Sequence, residues 1–198
     1  MSQLTDAILS TARAQPEGGL ISPKEFLHLG SRAAVDQALA RLAREGKLLR
    51  VARGAYTRPV ASRFGSRPPA TEAVVEAIAS TRGEVVVPNG AAEANALGLT
   101  AQVPTREIFL TSGPTRKLRL GNRTVELRHG KRWQLALGTR LAGRAIRALS
   151  WLGPGQASSA LRTLRTRLPP EEWAALQAAR PALPGWMARA VSEMNALG

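Results

Sequence analysis

The sequence contains no cysteine. Disulfides, thiolate zinc sites, iron–sulfur clusters and cysteine nucleophiles are therefore excluded, and the absence fits a cytoplasmic protein. Only two histidines occur, His28 and His129, too few for a histidine-rich metal site. His28 reads as a packing or capping residue near a turn. Lysine is scarce: Lys24, Lys47, Lys117 and Lys131 are four of the 28 basic residues, and the rest are arginine. No apolar run approaches the roughly 20 residues that span a bilayer. The opening Met-Ser-Gln-Leu-Thr-Asp does not read as a signal peptide. Carboxylates are few as well, 14 against those 28 cations, which leaves a formal charge of +14 over 198 residues.

What is present is enough apolar residue, 44%, to build a core. The charge calls for an anionic partner, with nucleic acid the default. It is unevenly spread. Residues 1–70 carry 11 basic and 5 acidic groups, residues 71–130 carry 7 and 6, and residues 131–198 carry 10 and 3. Two basic ends flank a nearly neutral middle.

Helical periodicity and turn signals give the organisation. Leu4, Ala7, Ile8 and Thr11 share one face of a first helix, which Pro16-Glu17-Gly18-Gly19 ends. Ser22-Pro23 opens a short second helix. Ser31 caps a third, with Val35, Ala38, Leu39 and Leu42 inward and Gly46 as its stop. Residues 48–52 and 55–58 read as two strands around the Arg53-Gly54 turn. Residues 59–70 have no periodic pattern, and their Pro, Gly and Ser content reads as a linker. A mixed region of helices and short strands follows, including a hairpin turned by Gly121-Asn122. From Trp133 onward only helices are expected. Trp133, Trp151, Trp173 and Trp186 are spaced as core anchors.

The expected architecture is α+β. A winged helix-turn-helix DNA-binding domain spans 1–58 and a linker 59–70. A small mixed α/β domain with a helical C-terminal region spans 71–198. In the winged plan the second helix holds the third rigidly, and the third presents a face to the major groove. The outer face here carries Ala33, Gln37, Ala40 and Arg44, flanked by Arg32, Asp36 and Arg41. Gln37 suits an adenine edge, Arg41 a guanine or phosphate, and Ala33 a thymine methyl. The helix N-terminus at Ser31 suits a phosphate. Arg50, Arg53 and Arg58, with Tyr56 beside them, fit a wing on the DNA backbone or in the minor groove.

Arg140, Arg144 and Arg147 fall on one helical face, and Arg162, Arg165 and Arg167 follow in the next helix. They read either as a solubilising face or as a second basic surface for nucleic acid or an acidic partner. An RNA-binding protein that shields an RNA substrate from another protein is one reading this surface would serve. A ligand-sensing regulator of another operon is a further alternative.

Enzyme signatures are missing. No Gly-x-x-x-x-Gly-Lys loop occurs. Gly30-Ser31 with Asp36 has no further paired carboxylates to hold a metal, and reads better as a turn and helix cap. Glu72, Glu76, Glu84, Glu93, Glu107 and Glu126 do not assemble a metal-dependent nuclease site. A non-enzymatic protein without cofactor or metal is expected.

Several blocks carry a family resemblance. They are Ser22-Pro23-Lys24-Glu25-Phe26 through Leu48-Leu49-Arg50-Val51-Ala52-Arg53-Gly54-Ala55-Tyr56, Pro88-Asn89-Gly90-Ala91-Ala92 with Leu97-Gly98-Leu99, Phe109-Leu110-Thr111-Ser112-Gly113, and Val125-Glu126-Leu127-Arg128-His129. With them the chain resembles the AbiEi-type antitoxins, transcriptional regulators of type IV toxin–antitoxin and abortive-infection (phage-defence) operons. The resemblance covers most of the chain, although the closing helices carry no matching motif. It implies an autorepressor that binds repeats in its own promoter as double-stranded DNA. It also implies that residues 71–198 form an antitoxin or regulatory domain that counters a nucleotidyltransferase-type toxin without needing a stable complex. No heptad or long exposed apolar stripe calls for an obligate dimer. A monomer or weak dimer, two copies per operator, is expected.

Overall fold

A computed structural model describes residues 3–196. The chain is of the α+β class and divides into two compact units, Met1–Glu84 with Arg116–Glu126, and Val85–Thr115 with Leu127–Gly198.

The first unit opens with α1 (Gln3–Ala14), a 3-10 turn (Pro23–Phe26) and α2 (Arg32–Arg44). Ser31 caps α2 by accepting from the Ala34 N–H at 3.3 Å, satisfying one of the free donors of the first turn. Val35, Ala38, Leu39 and Leu42 turn inward from α2 and meet Ile8, Leu9, Ala12, Ile21 and Phe26 in one core. Each fully buried aliphatic side chain contributes about 1.5–3 kcal/mol.

The strands β1 (Leu49–Ala52) and β2 (Ala55–Thr57) pair antiparallel, with a bulge between Arg50 and Ala52. Gly54, at φ 70°, supplies the left-handed turn residue between them. Ile21 and Tyr56 exchange both backbone hydrogen bonds, at 2.8 and 3.0 Å, and so tie the hairpin to the segment that leads into the 3-10 turn.

Residues 59–70 are not a structureless linker. Val60–Ser62 (β3) and Gly65–Arg67 (β4) form a second hairpin, and α3 (Thr71–Arg82) follows with Val74, Val75 and Ile78 buried. Glu17 accepts from Arg67 at 3.0 Å and from the Ala70 N–H at 2.9 Å, so this segment is tied to the loop after α1. The first unit therefore reaches residue 84 and takes in residues 116–126, where the sequence reading ended it at 58. Three-residue strands are too short for periodicity to reveal.

The next strands are β5 (Val86–Pro88), β6 (Glu107–Thr111), β7 (Arg116–Leu120) and β8 (Arg123–His129), in sheet order β5–β6–β8–β7. In β7 the buried Leu118 and Leu120 alternate with the exposed Lys117 and Arg119. Within the first unit, β7 lies against β1.

The second unit contains α4 (Gly90–Ala96) and the helices α5 (Arg132–Leu135), α6 (Leu141–Leu152), α7 (Pro154–Arg167), α8 (Pro170–Ala178) and α9 (Gly185–Ala196). Ala145, Ile146, Leu149, Leu161, Leu164, Leu176, Met187 and Val191 are among the side chains that form its core. Helix α4 packs on α6 so closely that a Cβ at Gly90 would collide with the Arg147 carbonyl and come within 2.6 Å of the Trp151 Cβ. Of the four tryptophans, Trp173 is buried, Trp133 and Trp186 are partly buried against the core, and Trp151 is exposed. Trp151 is thus no core anchor. The Trp173 indole N–H is buried without a hydrogen-bond partner. Among the described residues, no helix is long and apolar enough to cross a membrane.

Candidate nucleic-acid interface

Burying Val35, Ala38, Leu39 and Leu42 leaves Ala33, Asp36, Gln37, Ala40, Arg41 and Arg44 exposed on α2. A groove of about 570 Å³ is lined by this face and the β1–β2 hairpin. Lys24, Arg32, Arg50 and Arg53 line it, with Asp36 as its single aspartate. Asp36 does not offset all of that charge, because it is already paired with Arg32 at 2.9 Å. Lys24, Arg50 and Arg53 make no ion pair and no side-chain hydrogen bond among the described residues. A concave wall of unpaired cations around a small, neutral helix face is suited to a polyanion.

The remaining residues expected at this site divide. Gln37 and Arg44 are exposed and make no side-chain hydrogen bond or ion pair among the described residues. Ser31 spends its hydroxyl on the helix cap. Arg41 donates to Thr5 Oγ1 at 2.7 Å, so it clamps α2 to α1 while its side chain stays half exposed. Tyr56 is only 5% exposed and packs with the core, although it also lines the groove, so it offers little surface to a partner. The backbone bridge to Ile21 seats Tyr56 among the core side chains of this unit. Arg58 is half-buried, and its Nε is buried without a partner. Lys24 was missed because the short helix carrying it has no periodic face. His28 is exposed and packs in no core.

Of the residues expected at a second basic surface, Arg147 is not at the surface, and Arg140 and Arg144 are paired. Arg147 is 0% exposed: it donates to Glu93 Oε1 at 2.8 Å and to the Gly138 and Gln134 carbonyls at 2.9 and 3.3 Å. Arg144 donates to the other Glu93 oxygen at 2.7 Å. Burial pushes the Arg147 guanidinium below its usual range, opposed by Glu93. Arg140 pairs with Glu172 at 3.1 Å, and Glu172 also accepts from the Ala142 N–H at 2.8 Å, capping α6 from α8. The i, i+4, i+7 spacing did put three arginines on one face, but that face turns toward α4 and α8. Arg167 donates to the Leu97 carbonyl at 2.7 Å, and Arg165 lies over the Trp173 ring at 5.1 Å. Arg162 is exposed. Among the described residues, no three His, Asp or Glu side chains gather where they could hold a metal ion.

The profile of DUF6088, a family of unknown function, matches residues 7–167. The chain belongs to the DUF6088 family. No curated protein and no solved structure matches it. The DUF6088 match includes every residue of the groove and the Glu93–Arg147 cluster, and ends with α7.

Proposed function

We propose that this DUF6088 protein is a cytoplasmic, non-enzymatic DNA-binding transcriptional repressor that reads duplex DNA with its first unit. On this reading, residues 1–58 act as a winged helix-turn-helix, with α2 in the major groove and the β1–β2 turn on the backbone. The observation that carries it is the groove between α2 and the hairpin, where Lys24, Arg50 and Arg53 make no ion pair among the described residues, with Gln37 exposed on the same helix. Phosphate contacts from such cations position a protein on DNA, and a glutamine on the helix face can select adenine. The likeness to AbiEi-type antitoxins extends the proposal to autorepression and to neutralising a nucleotidyltransferase-type toxin, and this part rests on that likeness alone.

The test is fluorescence anisotropy of the full chain on three ligands: its own promoter, a random duplex of equal length, and tRNA. Tightest binding to the promoter, with a steep salt dependence on both duplexes, is expected. Preference for tRNA, or no duplex binding, defeats the reading.

A further inference from the structure

A second groove, of about 440 Å³, is lined by Ala40, Arg44, Arg50, Tyr56, Arg119 and Gly121, among others. It shares Ala40, Arg50 and Tyr56 with the first, so the two are contiguous, with Arg50 common to both. No carboxylate lines it. Arg119 arrives from β7, more than sixty positions along the chain, because β7 lies against β1. Its direction is fixed by the strand. Leu118 and Leu120 are both fully buried, so the side chain between them must point outward. Gly121, at φ 62°, closes the tight turn to β8, and a Cβ there would meet Pro68 at 3.0 Å.

The arginines around this groove differ in whether they are paired. Arg116, on the same strand, is paired with Glu84 at 2.6 Å. Arg44, Arg50 and Arg119 make neither ion pair nor side-chain hydrogen bond among the described residues. Three unpaired guanidiniums on one wall raise the local potential, which a polyanion would relieve.

We propose that the β7–β8 hairpin is part of the DNA interface, with Arg119 joining Arg44 and Arg50 to hold a run of backbone phosphates beside the first groove. The proposal deepens the reading of the first groove and rests on it. The footprint then includes a segment that the charge profile marks as nearly neutral. The contact is to phosphate, so it carries affinity rather than sequence preference.

The experiment is the salt dependence of binding of the full chain to promoter and random duplexes, for the wild type, Arg50→Ala, Arg119→Ala, the double variant and Arg189→Ala. Arg189 is an exposed arginine of α9 and controls for net charge. Arg50→Ala and Arg119→Ala should each lower the slope of log K against log salt by about one, and the double variant by about two. The loss should be equal on both duplexes, and Arg189→Ala should leave the slope unchanged. If Arg50→Ala lowers the slope and Arg119→Ala does not, the hairpin lies outside the interface while the reading of the first groove stands. An equal fall for Arg189→Ala reduces the effect to overall charge and overturns the proposal. Absence of duplex binding by the wild type removes the underlying reading itself.

Discussion

In the first unit Arg44, Arg50, Arg53 and Arg119 line two grooves and make no ion pair or side-chain hydrogen bond among the described residues. In the second, Arg140, Arg144 and Arg147 are held by Glu172 and Glu93, and Arg147 is removed from water altogether. Both sets are dense in arginine. What separates them is the supply of carboxylates that tertiary packing brings within reach. A guanidinium that finds a carboxylate and several carbonyls becomes part of the scaffold, because leaving it buried and unpaired is prohibitive. One that finds none stays hydrated and available to an external anion.

The largest expected effect breaks the scaffold side of this contrast. Glu93→Ala leaves Arg147 buried without its counter-charge, which costs about 3–5 kcal/mol in such cases. Urea unfolding should register that loss. Replacing both residues together, Glu93→Leu with Arg147→Met, should recover most of it, because an apolar pair of similar volume has no unpaired charge to bury. If Glu93→Ala alone is harmless, the cluster is not structural.

The next effect falls on the other side. Gln37→Ala should weaken promoter binding by about 1–3 kcal/mol and relax preference at one base position. Stability should be unchanged, because Gln37 is exposed. Equal losses on promoter and random duplex would mean that Gln37 reads no base.

A smaller effect is present at neutral pH and lost in acid. The Ala142 N–H and then Arg140 hold the Glu172 carboxyl below the usual range. A carboxyl lowered in the folded state stabilises above its unfolded value of about 4.3 and loses that contribution as pH falls through its folded value. Glu172→Gln should therefore lower stability at pH 7 and make the second unit's stability less sensitive to acid, measured by urea unfolding at pH 7 and pH 3. An unchanged acid limb would show that the α8 cap on α6 contributes nothing.

The smallest effect sharpens the contrast by its absence. Phe64, at the β3–β4 turn, is 88% exposed, with Arg63 over its ring at 4.8 Å. Phe64→Ala should leave the unfolding midpoint unchanged, since the side chain buries almost nothing. A clear destabilisation would mean that the hairpin packs more tightly than its exposure indicates.

Much of this was legible in the sequence. The third helix of the sequence reading, its Ser31 cap and its four inward residues correspond to α2 as observed. The Gly121-Asn122 hairpin and the C-terminal helices after Pro154, Pro170 and Gly185 follow the turn signals. Short strands such as Val60–Ser62 were not legible, because three residues carry no period. The destination of the arginines was not legible either. Helical spacing places Arg140, Arg144 and Arg147 on one face, but only packing decides that Glu93, some fifty positions away, meets that face. Arg119 was hidden for the same reason, since its neighbours in space come from β1 and α2. Tyr56 misled because a tyrosine in an arginine-rich hairpin reads as a surface residue until its backbone pairing with Ile21 is seen.

The central claim is that the unpaired arginines of the first unit, and not basic charge in general, form the interface. Two triple variants with the same charge change test it most directly: Arg44, Arg50 and Arg53 to alanine, and Arg162, Arg165 and Arg189 to alanine. Both remove three cations, and the salt slope of duplex binding is read for each. The account predicts a slope reduced by about three for the first triple and unchanged for the second. Equal reductions in both, or a larger one in the second, would contradict it.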